Sequence, residues 1–78
     1  MQFLIEYDRH QGRLVTFKEF RNTERQKAED ERLALELELN HRGARHEVVL
    51  LEAASKEALR RTHRRYFEDL DSLANPPV

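Results

Sequence analysis

The sequence predicts an α+β domain in two layers, with its elements in the order β-β-α-β-α. Three observations carry this. Two stretches of alternating apolar and polar residues flank a loop near the amino terminus. A long stretch of helix formers without Gly or Pro follows. A run of consecutive apolar β-formers, Val48-Val49-Leu50-Leu51, then precedes a second helical pattern.

Gln2 to Tyr7 reads as the first strand, with Phe3, Ile5 and Tyr7 on one face by the period of two. Asp8 to Gly12 reads as a loop, because Asp favours turn entry and Gly12 adopts positive φ without steric penalty. Leu14 to Phe20 resumes the alternation, with Val15 and Phe17 on one face and Thr16 and Lys18 on the other, which makes a β-hairpin. Thr23 followed by Gln26 fits a capping box and opens the first helix, which Gly43 should end, with His41 and Arg42 near the negative end of its dipole. On that helix Ala28, Leu35 and Leu39 form one stripe, whereas Leu33 and Leu37 fall about 160–200° away. Two stripes imply two things to pack against.

Glu47 to Ala53 reads as the third strand, apolar toward both faces. Ser55 should cap the last helix, whose stripe is Leu59, His63, Tyr66, Leu70 and Leu73, with Thr62, Phe67 and Ala74 beside it. Asn75-Pro76-Pro77 ends that pattern, so residues 1–74 are expected to form one domain and 75–78 a mobile tail. A right-handed crossover through the first helix sets the third strand parallel to the second. The expected sheet order is 2-1-3, with both helices on one face and the third strand at an edge.

Composition narrows the function. At 78 residues the chain holds one small domain, of a size that buries only roughly 60–65% of the surface its unfolded form exposes. It contains no Cys, which removes thiol nucleophiles, disulfides and Cys-based zinc sites and leaves the redox compartment open. Charged residues make up 37%, but 14 basic and 15 acidic side chains nearly cancel, so there is no overall pull toward nucleic acid or anionic lipid. The apolar opening is cut off by Glu6 and Asp8, no run reaches the ~20 apolar residues of a membrane helix, and a cytoplasmic location is expected.

Several constellations could carry chemistry. Arg60, Arg61, Arg64 and Arg65 form a basic cluster whose guanidinium forks match phosphate oxygens. Glu57, Glu68 and Asp69 stand at i,i+4 spacing to Arg61, Arg64 and Arg65, so a solvated, ion-paired face is the favoured reading, with nucleic-acid or anionic-ligand binding the alternative. No aromatic residue alternates with these arginines along the helix. His63 interrupts an apolar stripe beside Tyr66, which makes the two a possible pocket, though a boundary role with a local hydrogen bond is the simpler expectation. Glu6 and Glu52 sit inside apolar strands and would approach each other only if the strands bring them level; both are expected on an open sheet face.

Asp8, His10, His41 and His46 match no closed metal set and are expected at the surface; no metal and no cofactor are expected. Phosphate-binding glycine loops and the nucleophile-elbow pattern are lacking. The expected function is therefore a small non-catalytic protein-interaction module, a homodimer or a subunit of a larger complex. Leu33 and Leu37 on the helix and Val48 and Leu50 on the edge strand are its candidate contact residues.

Overall fold

The computed structural model describes residues 1–68. They form β1 (Gln2–Asp8), β2 (Arg13–Phe20), a 3-10 turn (Asn22–Glu24), α1 (Arg25–Arg42), β3 (Glu47–Glu52), α2 (Lys56–Thr62) and a second 3-10 turn (Arg64–Tyr66). The sheet has the expected order β2-β1-β3. Both outer strands run antiparallel to β1, so β3 is parallel to the non-adjacent β2, as a crossover through α1 requires. Among the described residues, no helix is long and apolar enough to cross a membrane.

The helices correct one expectation: they lie on opposite faces, giving three layers where two were expected. Phe3 and Ile5 pack with Leu59 and Tyr66 of the carboxy-terminal elements, joined by Phe17, Val49 and Leu51. Leu4 packs with Phe20 and Ala28, joined by Leu35, Val48 and Leu50 beneath α1. The reason lies in β1, where consecutive Phe3-Leu4-Ile5 are all buried; a strand apolar on both faces needs a cover on both.

The hairpin closes with the backbone N–H of Gly12 donating to the Asp8 carbonyl at 2.7 Å, with Gly12 at φ 65. Val15 is not level with Phe17. The register slips between Glu6 and Tyr7, which pair with Thr16 and Leu14, so Val15 bulges out half exposed and Leu14 takes its place in the core.

Thr23 is not the cap expected of α1. The chain enters through the 3-10 turn, where the Glu24 carboxylate accepts from the Arg21 backbone N–H at 2.9 Å. Gly43 ends α1 at φ 71, its N–H donating to the Asn40 carbonyl and that of Ala44 to the Leu39 carbonyl. Ser55 caps α2 as expected, its hydroxyl accepting from the Ala58 N–H at 3.1 Å.

The long last helix is a second correction. It stops at Thr62, and His63 leaves helical geometry at φ −129, ψ 51. The Thr62 hydroxyl bonds the carbonyls of Ala58 and Leu59, a local alternative to continuing the backbone ladder. Leu70, Leu73, Ala74 and the tail expected at 75–78 lie outside the described residues.

Candidate functional site

Three clusters carry the polar chemistry, and α1 carries two exposed leucines. The first cluster centres on Glu6, only 4% exposed although it carries a carboxylate. β1 turns it toward the α1 face, level with Thr16 on β2 and Val48 on β3. The Thr16 hydroxyl donates to Glu6 Oε1 at 2.7 Å, and His46 Nδ1 lies 2.5 Å from Oε2. On its other side the His46 ring has Nε2 3.6 Å from Asp8 Oδ2. Asp8 itself accepts from the backbone N–H groups of His10 and Gln11. The Gln11 N–H is the main reason its carboxyl sits below the usual carboxylate range.

Two expectations change here. Glu6 does not face open solvent, and it does not meet Glu52, which stands opposite Gln2 at the far end of the β1–β3 ladder. His46 is half-buried between two carboxylates and is not a surface group, whereas His10 and His41 are exposed. Among the described residues, no group of three or more His, Cys, Asp or Glu side chains is arranged to hold a metal ion. The cluster ties the segment after α1 to the central strand.

The second cluster lies across the sheet. Glu47 accepts from Arg65 Nη2 at 2.7 Å and from the Tyr66 hydroxyl, and Arg9 Nε approaches it at 3.8 Å. The Arg65 hydrogen bond holds the Glu47 carboxyl below its ordinary range, and burial, with help from Glu47, pushes the Tyr66 hydroxyl up. Tyr66 also meets Tyr7 edge-on at 5.4 Å between ring centroids. The break at His63 makes this possible, because it turns Tyr66 into the core with its hydroxyl toward β3.

His63 and Tyr66 stand side by side, as expected of neighbours on one stripe. His63 Nδ1 lies 2.8 Å from the Thr62 hydroxyl, and its ring stacks on Tyr66 at 6.3 Å. The depression of about 270 Å³ that Tyr66 lines is shared with Arg13, Leu14, Arg60 and Phe67.

The four arginines separate. Arg65 is held by Glu47, while Arg60, Arg61 and Arg64 line an open depression of about 450 Å³ with Phe67 and Glu68. Arg64 pairs with Glu68 at 3.2 Å as the spacing suggested. The partner expected for Arg65, Asp69, lies outside the described residues. An aromatic ring does join the arginines, with the Arg60 guanidinium 5.3 Å from the Phe67 centroid. Sequence spacing missed it because the 3-10 turn, not a continuous helix, brings Phe67 round.

The apolar surface lies on α1 and β3. Leu33 and Leu37 are 53% and 60% exposed. Val48 and Leu50 are half-buried beneath α1, packed against the Leu4 cluster on one side and partly open at the sheet edge. The first residue beyond β3 shows which backbone groups are available. Met1 and Ala53 exchange both hydrogen bonds, the Ala53 N–H to Met1 and the amino terminus to the Ala53 carbonyl, each at 3.0 Å. Antiparallel ladders alternate, so Glu47, Val49 and Leu51 bond to β1, while Val48, Leu50 and Glu52 aim N–H and C=O at the outer edge.

Compared with protein-family models, with curated proteins and with solved structures, the chain matches none of them.

Proposed function

We propose that the protein is a small non-catalytic interaction module that works by self-association, in the cytoplasm as its sequence suggests. The observation that carries this is a β3 edge with outward backbone groups, together with Leu33 and Leu37 exposed on α1. An edge strand with apolar neighbours is a template for another strand. Burying one leucine contributes about 1.5–3 kcal/mol, so two per copy matter to a domain with a thin core. The polar clusters at Glu6 and Glu47 support the reading in a different way, since each ties one element of this fold to another. Sedimentation equilibrium at micromolar concentration tests it: the native chain should sediment as a dimer and Leu33→Glu/Leu37→Glu as a monomer of unchanged fold. A native chain that stays monomeric at millimolar concentration would overturn it.

A second reading rests on Arg60, Arg61 and Arg64 around one depression with Phe67, an arrangement that suits an anionic, phosphate-bearing ligand. Its mark is binding that weakens steeply with salt, lost in Arg60→Glu/Arg61→Glu.

A further inference from the structure

We infer that the occupant of the β3 edge is a second copy of this chain, joined antiparallel about a twofold axis that passes through Val49. The inference rests on the self-association proposed above and specifies its register. Only the outward residues Val48, Leu50 and Glu52 have groups to offer, and in an antiparallel pair outward residues bond to outward residues. The twofold axis must therefore pass through a residue and never between two. The six residues of β3 leave two centred choices, Val49 and Leu50.

Side chains choose between them. On the α1 face β3 presents Val48, Leu50 and Glu52 in alternation, preceded by His46. An axis at Leu50 sets the Glu52 carboxylate opposite Val48 of the second copy, inside the apolar row. An axis at Val49 sets Val48 opposite Leu50 twice over and moves Glu52 to the end of the row, opposite the His46 ring. The second arrangement keeps apolar groups together and charge at the rim.

The same axis brings α1 into play. α1 packs over β1 and β3, about one strand spacing of ~4.8 Å from the axis. Two copies of α1 then stand about 10 Å apart, the packing distance of helices. Lys18, level with Leu50, reaches Glu31 at 2.8 Å, whereas Val48 shares a depression with Leu39 and Asn40. The level of Val49 accordingly falls near Leu35. Depressions on either side of α1 fix its flanks: Ala34, Leu35 and Glu38 face β2, and Glu36, Leu39 and Asn40 face the open edge of β3. At about 100° per residue, Leu33 leans toward that second flank. Antiparallel helices centred on Leu35 bring the Glu36 and Asn40 flanks together with Leu33 at their border, while Leu37, about 160° round the helix from Leu39, points away from the sheet.

The absence of cysteine makes the register readable. Val49→Cys places two thiols at a non-hydrogen-bonded pair, where Cα atoms stand about 4.5 Å apart and a disulfide can close. Under the Leu50 axis, the corresponding pair is Val49 with Leu51. Val49→Cys alone and an equal mixture of Val49→Cys with Leu51→Cys are oxidised and the products weighed by intact mass spectrometry, with exposed Ala54→Cys giving the collisional background. The reduced variants' thermal midpoints confirm that they fold. The expected result is a Val49 homodimer about tenfold above background, with no enrichment of the mixed dimer. A dominant mixed dimer would overturn the Val49 register while leaving self-association intact. No cross-link above background, from a chain that still sediments as a dimer, would overturn pairing through β3. No cross-link from a monomeric chain would remove self-association itself.

Discussion

Glu6 and His46 stand 40 positions apart in sequence, yet their side chains lie 2.5 Å apart beneath α1. That contact fastens the start of β3 to the central strand, and with it the edge on which the proposed function depends. Replacing Glu6 with Ala removes the acceptor of both His46 and Thr16 in a buried site. We expect a loss of about 1–3 kcal/mol, with Glu6→Gln milder because it keeps an acceptor. Urea denaturation measures both, and a midpoint unchanged in Glu6→Ala would contradict the structural role.

The end of α1 depends on Gly43 at φ 71. A Cβ there would meet nothing within 4 Å, so crowding plays no part and only the left-handed backbone resists substitution. Gly43→Ala should lower stability by about 1 kcal/mol, and Gly43→Asn by less. Equal stability of all three chains in denaturant would be inconsistent with this cap.

Glu47 and Tyr66 set opposite limbs of the pH profile. The Glu47 carboxyl is held below its ordinary value of 4.5, chiefly by the Arg65 hydrogen bond. Its contribution is therefore fully present above that value and lost as pH falls through the folded one. The Tyr66 hydroxyl is raised above 10.0, chiefly by burial, so its contribution is present below 10.0 and lost as pH rises through the folded value. Glu47→Gln should shallow the acid limb of Tm against pH without flattening it, because Asp8 acts in the same direction. Tyr66→Phe should shallow the alkaline limb. Profiles that keep the native slopes in both variants would exclude this network as their source.

Leucines separate folding from association. Leu59 is fully buried between α2 and the sheet, and Leu59→Ala should cost about 2–5 kcal/mol. Leu33→Ala, at an exposed position, should shift the stability of the dilute chain by no more than about 0.5 kcal/mol while weakening self-association. Denaturation of the dilute chain, paired with sedimentation, distinguishes the two effects.

Sheet order, element order and the two stripes of α1 were legible because each rests on local periodicity and on a few punctuating residues such as Gly12, Gly43 and Ser55. What escaped was long-range or depended on a single irregular residue. Phe3-Leu4-Ile5 already contained the signal for two covered faces, since Leu4 has no reason to be apolar beside an open one. The bulge at Val15 exchanged the faces of Leu14 and Val15 while Thr16, Phe17 and Lys18 kept theirs, and nothing in an alternating stretch marks where such a slip occurs. The break after Thr62 hid behind a helical pattern that continued through His63 and Tyr66. The Glu6–His46 pair was out of reach because it joins the central strand to the segment after α1, an approach that only the assembled sheet creates.

Amide exchange at β3 tests the central claim most directly. Val49 and Leu51 donate to β1 in every state, whereas Val48, Leu50 and Glu52 aim their N–H groups outward. Exchange followed residue by residue at rising protein concentration should leave Val49 and Leu51 protected throughout. Val48 and Leu50 should exchange freely in dilute solution and slow as copies pair. Val48 and Leu50 amides that exchange at the same rate from micromolar to millimolar concentration would contradict self-association through this edge.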